Sequence, residues 1–144
     1  MGVSHRLLAG GGESRRALRA SNDPEVTMFD SLPVSNLIAY RKALEAAGIA
    51  LALVTRVPAP LKSLADQVIR SAASITANLA EGHGRIGRDR AHHWRIAYAS
   101  AMEVDCHLRL LCDSGGVHRG KAITALQLFD EVRAMTWRLL NPTH

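Results

Sequence analysis

Four stretches in which apolar residues recur every three or four positions, each closed by proline or glycine, constrain this chain more than any other feature. From Ser35 onward, Leu37, Tyr40, Ala43, Leu44, Ala47, Ala50, Leu51 and Val54 form one stripe of an amphipathic helix. Pro58 and Pro60 close it, because proline lacks the amide hydrogen and its ring clashes with the preceding turn. A second helix is predicted from about Leu61 to Glu81, with Leu64, Val68, Ala72, Ile75 and Leu79 on its core face. Gly82 and Gly84 mark its stop, where glycine adopts a left-handed cap at no steric cost. Asp89 is the predicted N-cap of a third helix, whose stripe of Trp94, Ala97, Tyr98, Ala101, Val104, Leu108 and Leu111 ends at Gly115-Gly116. The fourth runs from about His118 to Leu140 through Ala122, Leu126, Phe129, Val132, Met135 and Leu139, and Pro142 stops it. No strand pattern competes. Helices of this length joined by short turns pack most simply as an antiparallel up-down-up-down four-helix bundle, so the fold class is all-α, with the bundle spanning residues 35–141.

Composition agrees. The chain has 144 residues, one domain's worth, and only 4% of them are aromatic, so Ala and Leu carry the apolar mass. No apolar run reaches the roughly 18 residues of a membrane span. Cys106 and Cys112 are too few for a disulfide scaffold and lack CxxC spacing, which favours core or seam positions in a cytoplasmic protein. Residues 1–34 are a flexible N-terminal extension in this reading: rich in Gly, Ser and Arg, without a sustained period. Leu7-Leu8-Ala9 is too short for a secretory signal, and Arg6 breaks the myristoylation pattern. Four basic and four acidic residues cancel within residues 1–30, so the whole net charge of +5 sits in the helical part. An anionic partner follows as an expectation.

From Gln67 to Arg85 the chain reads Gln-Val-Ile-Arg-Ser-Ala-Ala-Ser-Ile-Thr-Ala-Asn-Leu-Ala-Glu-Gly-His-Gly-Arg. Gln67, Arg70, Ala72, Ser74, Ile75, Asn78, Ala80, Glu81 and Gly82 match, in one register, the signature of a bacterial four-helix-bundle family encoded in intervening sequences of 23S ribosomal RNA genes. The chain also resembles that family at Leu37, Tyr40, Lys42 and Ala43 of the first helix, at Val57-Pro58, and at Ala97, Ser100 and Glu103 of the third. The resemblance implies a homo-oligomer, commonly a pentameric ring, with a basic surface and no known enzymatic activity. Related bundles are accessory subunits of diversity-generating retroelements, where they bind a reverse transcriptase and nucleic acid. Three departures stand out: Ala99 replaces a glycine, Ser71 replaces an alanine, and residues 1–34 have no counterpart. The first suggests slightly wider packing of the second and third helices.

The residues themselves offer two kinds of constellation. Ser71, Ser74, Asn78 and Glu81 share one face of the second helix, and Ser100 and Glu103 share one on the third. They suit a polar layer inside the bundle or between subunits, with donors and acceptors satisfying one another. No histidine is evident on those faces to activate a serine, so no catalytic residue is assigned. Glu81 in a last turn opposes the helix dipole and needs a cation; Arg85, or Arg70 of a neighbouring subunit, is the expected partner.

The second constellation is basic. Arg85, Arg88, Arg90 and Arg95, with His83, His92 and His93, surround the single acid Asp89, and arginine grips phosphate with a planar fork. His118, Arg119 and Lys121 gather at the start of the fourth helix, at the opposite end of the bundle. A solvated surface and a phosphate contact both fit these groups. Adjacent His92 and His93 diverge by about 100° on a helix, and His107 beside Cys106 does likewise, so no metal site is assigned. No glycine-rich phosphate loop occurs and no cofactor is implied. Trp94 and Trp137 are either buried anchors or base-stacking platforms. The expectation is a non-enzymatic, pentameric, cytoplasmic bundle binding RNA or a ribonucleoprotein through basic loops. The alternative is a protein-interaction scaffold docking a partner such as a reverse transcriptase.

Overall fold

The structure, a computed structural model, describes residues 33–143. The proposed extension over residues 1–34 therefore lies outside the described residues, except for Pro33 and Val34, which open a short 3-10 turn, Pro33–Asn36. Four α-helices follow: α1 (Ile38–Val54), α2 (Lys62–His83), α3 (Gly87–Asp113) and α4 (Arg119–Leu140). A 3-10 turn over Ala59–Leu61, with Pro60 inside it, carries the chain from α1 into α2. Each helix borders two others, α1 and α3 both packing on α2 and α4, with α2 against α3 the most extensive pair. The expected up-down-up-down bundle is the observed one, and no strand occurs among the described residues.

The stripes on α2, α3 and α4 point inward much as their spacing requires. Val68, Ala72, Ile75 and Leu79 of α2, Val104, Leu108 and Leu111 of α3, and Phe129 and Val132 of α4 are fully or almost fully buried. On α1 the expected stripe is only partly the core face: Ala43, Ala50 and Val54 are buried and Leu37, Tyr40 and Ala47 pack against the core. Ala39 and Ala46 are buried as well, whereas Leu44 and Leu51 are 48% and 38% exposed. Alanine lets α1 approach its neighbours closely, and the bulkier leucines are turned outward.

Two helix ends also differ from the sequence reading. α3 begins at Gly87, not after an Asp89 cap, because Gly87 at φ 58° turns the chain into the helix early. Gly84 ends α2 at φ −80°, with no left-handed cap. The stop at Gly115-Gly116 is as expected: Gly115 is left-handed at φ 76°. Its amide donates to the Cys112 carbonyl at 3.1 Å and the Gly116 amide to Leu111 at 2.8 Å, the paired bonds of a Schellman cap. His118 caps α4, its Nδ1 accepting the Lys121 amide at 3.2 Å. No described helix is long and apolar enough to cross a membrane.

Candidate functional site

The polar residues of α2 and α3 meet as rungs between the two helices. Ser74 and Ser100 share a hydroxyl–hydroxyl bond of 2.8 Å. Asn78 Nδ2 donates to the Ser74 carbonyl at 2.9 Å and to Ser74 Oγ at 3.2 Å. That leaves Asn78 Oδ1 facing His93 Nδ1 at 3.0 Å, so the imidazole donates through Nδ1. Ser71 donates to the Gln67 carbonyl at 2.8 Å, with Glu103 Oε2 at 3.4 Å as a longer alternative. Ser71 and Ser100 are buried. One turn beyond Glu103, His107 keeps a buried Nδ1 without a partner among the described residues.

His93 corrects the reading that no histidine joins these serines. It lies seven residues before Ser100, two turns along the same face, and that interval was the available signal. It does not make the serines nucleophiles, since an amide that donates to Ser74 Oγ cannot accept its proton. The rungs hold two helices in register. Asn78→Ala, which strips partners from both Ser74 and His93, is expected to cost about 1–3 kcal/mol. Urea denaturation checks this, and a loss below a few tenths would mean that water replaces the amide at no cost.

Glu81 leaves this layer. Its carboxylate pairs with Arg85, as expected, and Arg85 Nη1 reaches Asp89 at 2.9 Å. One guanidinium thus ties the end of α2 to the first turn of α3. Hydrogen bonds to Glu81 and then Asp89, reinforced by their charges, hold Arg85 above the usual arginine range. Arg90 is committed too: Nε donates to the Gly82 carbonyl at 3.1 Å and Nη2 to His83 at 3.4 Å. It caps the C-terminus of α2, where a cation also suits the helix dipole.

The basic groups therefore divide. Arg85 and Arg90 serve the α2–α3 turn, while Arg88, Arg95, Arg119 and Lys121 are exposed and form no ion pair among the described residues. Gln67 and Arg70 are likewise exposed on α2. Around Lys121 the chain forms an open cleft of about 1110 Å³ between α1 and the start of α4, lined by Ile49, Leu53, Arg56, His118 and Lys121 among others. Arg56 is a cation the sequence reading passed over, since it stands alone in the chain and joins the others only through folding. The two tryptophans part company: Trp94 is 8% exposed with Nε1 donating to the Leu79 carbonyl at 3.4 Å, whereas Trp137 is 54% exposed. Of the two cysteines given core or seam positions, Cys106 is exposed on the single bundle and so not in its core, and Cys112 is half-buried; no cluster of three metal-ligating side chains occurs among the described residues. Ala99 is exposed, so it does not space α2 from α3.

The family model described as 23S rRNA-intervening sequence protein matches residues 35–138. Among solved structures, the chain is similar to a protein of unknown function from the S23 ribosomal protein family of Bacteroides thetaiotaomicron. The two share 22% identity at a TM-score of 0.65, over 76% of this chain and 98% of that one. That likeness concerns the fold. No curated protein matches.

Proposed function

The chain belongs to the 23S rRNA-intervening sequence protein family, and on that premise we propose that it is a non-enzymatic, homo-oligomeric bundle that binds RNA or a ribonucleoprotein through unpaired surface cations. The observation that carries this reading is the division of the arginines. Nearby carboxylates neutralise Arg85, whereas Arg88 and Arg95 on α3 and Arg119 and Lys121 on α4 have no carboxylate within ion-pair distance among the described residues. Measured along α3 to its end, beside which α4 starts, Arg88 and Arg95 stand roughly 37 and 27 Å away from the second group. Cations spread over that span fit a polyanionic backbone better than a compact small ligand. Repetition of both groups around the pentameric ring implied by the resemblance would multiply weak contacts into avidity. Half-exposed Leu44, Leu51 and Ile123 supply apolar surface for such self-association.

RNA affinity measured against salt tests this. Each phosphate contact contributes about 0.7–0.9 to the slope of log affinity against log salt, so Arg88→Ala with Arg95→Ala should flatten it by about 1.4–1.8. Arg85→Ala should leave the slope unchanged, because its charge is already balanced. Equal slopes for all three proteins would sink the reading. The same apolar side chains favour a second reading, docking of a partner protein such as a reverse transcriptase, which salt-insensitive association would support.

A further inference from the structure

Trp137 is the more exposed of the two indoles in a chain with 4% aromatic residues, and nothing in the bundle's packing requires it at the surface. It lines an open groove of about 450 Å³ between α3 and α4, together with Tyr98, Asp130, Arg133, Ala134 and Arg138. The Tyr98 ring stands 5.9 Å from the indole at an interplanar angle of 47°, so the platform is braced from one side. We propose that this groove receives a single unstacked base of single-stranded RNA, with Trp137 as the stacking surface and Arg138 and Arg95 taking the flanking phosphates. The inference rests on the RNA-binding reading and narrows its substrate to unpaired nucleotides.

Charge and placement support this occupant over others. Asp130, the acid in the groove, is consumed by its ion pair with Arg133. Arg138 beside it forms no ion pair among the described residues and is exposed. On α3, Arg95 precedes Tyr98 by three residues and Arg88 precedes Arg95 by seven, spacings that return to nearly the same helix face. Two of the proposed phosphate contacts thus run up one stripe toward the aromatic pair. Cations interleaved with an exposed aromatic ring are the recurring equipment for holding unpaired nucleotides. A duplex keeps its bases stacked and its rings covered, so it offers Trp137 nothing to stack on. Because every base has a π face, the groove should accept any sequence.

Intrinsic fluorescence of the full chain tests this, since Trp94 and Trp137 are its two tryptophans and Trp94 is buried. The probes are a twelve-nucleotide oligouridylate, about one bundle length of strand, and the same strand annealed to oligoadenylate. The single strand should quench the exposed emission, the duplex should not, and Trp137→Ala should abolish the quench. That substitution should lower single-strand affinity about 10-fold while leaving duplex affinity and the salt slope unchanged. Trp137→Phe, keeping a stacking ring, should restore most of the affinity. Single-strand binding that leaves the emission unchanged and survives Trp137→Ala would overturn the groove while the phosphate reading stands. Emission shielded from iodide before RNA is added would also overturn it, because a second copy would then occupy the face. Failure of both RNAs to bind would remove the broader reading, and this one with it.

Discussion

Phe129→Ala is expected to destabilise the bundle by about 3–5 kcal/mol, a large part of the roughly 5–15 kcal/mol that holds a domain folded. Phe129 is 1% exposed and the largest fully buried side chain among the described residues. Its importance follows from what its neighbours lack. α1, which borders α4, gives the core four alanines and one valine. Most of the fully buried volume then comes from the other three, and among fully buried side chains Phe129 supplies the largest share. Truncation leaves a cavity that alanines on α1 cannot reach across, so both the transfer and the cavity contributions are lost. Urea denaturation should show a lower midpoint with an unchanged slope. Leu44→Ala is the control: at 48% exposure it should cost well under half as much. A monomeric bundle in which the two substitutions cost the same would mean that the core is not organised around Phe129.

That contrast also marks where the sequence was readable. Periodicity located all four helices and, on α2, α3 and α4, the buried face, because their stripes mix large apolar residues with polar ones at clear intervals. On α1 nearly everything is apolar, and Leu44 and Leu51 outweigh Ala39 and Ala46 in hydrophobicity although the alanines face inward. Close approach between helices selects for small size, and no hydrophobic scale carries that information. The polar layer shows the same division. Ser74, Asn78 and Ser100 were legible from spacing within each helix; the interval from His93 to Ser100 put the imidazole on the same face, but its partner, Asn78, is fixed only by the packing of the two helices. Among the arginines, the Glu81–Arg85–Asp89 chain follows four-residue spacing and was within reach of the sequence. Arg90 was not, because its carbonyl partners on α2 reach it only when the turn folds back.

Gly82→Val is the second substitution with a large expected effect, about 2–4 kcal/mol of destabilisation from overpacking a closed site. Gly82 lies within α2, and a Cβ placed on it would stand 2.5 Å from both Cδ1 and Nε1 of Trp94 and 3.1 Å from the Arg90 carbonyl. The indole cannot swing aside cheaply: Nε1 donates to the Leu79 carbonyl, and the Arg90 guanidinium lies 5.4 Å from the ring centroid. Gly82→Ala sets two effects against each other. Replacing glycine in the last turn of a helix favours folding by at most about 1 kcal/mol, while the clash opposes it by about 1–3 kcal/mol. The net sign should be destabilising in the natural background and should reverse in a Trp94→Leu background, where the flat ring that meets the new methyl is gone. A double-mutant cycle over the two positions reads that reversal directly as a coupling energy. Stabilisation by Gly82→Ala with Trp94 intact would mean that the signature glycine is there for the turn and not for the approach of α3 to α2.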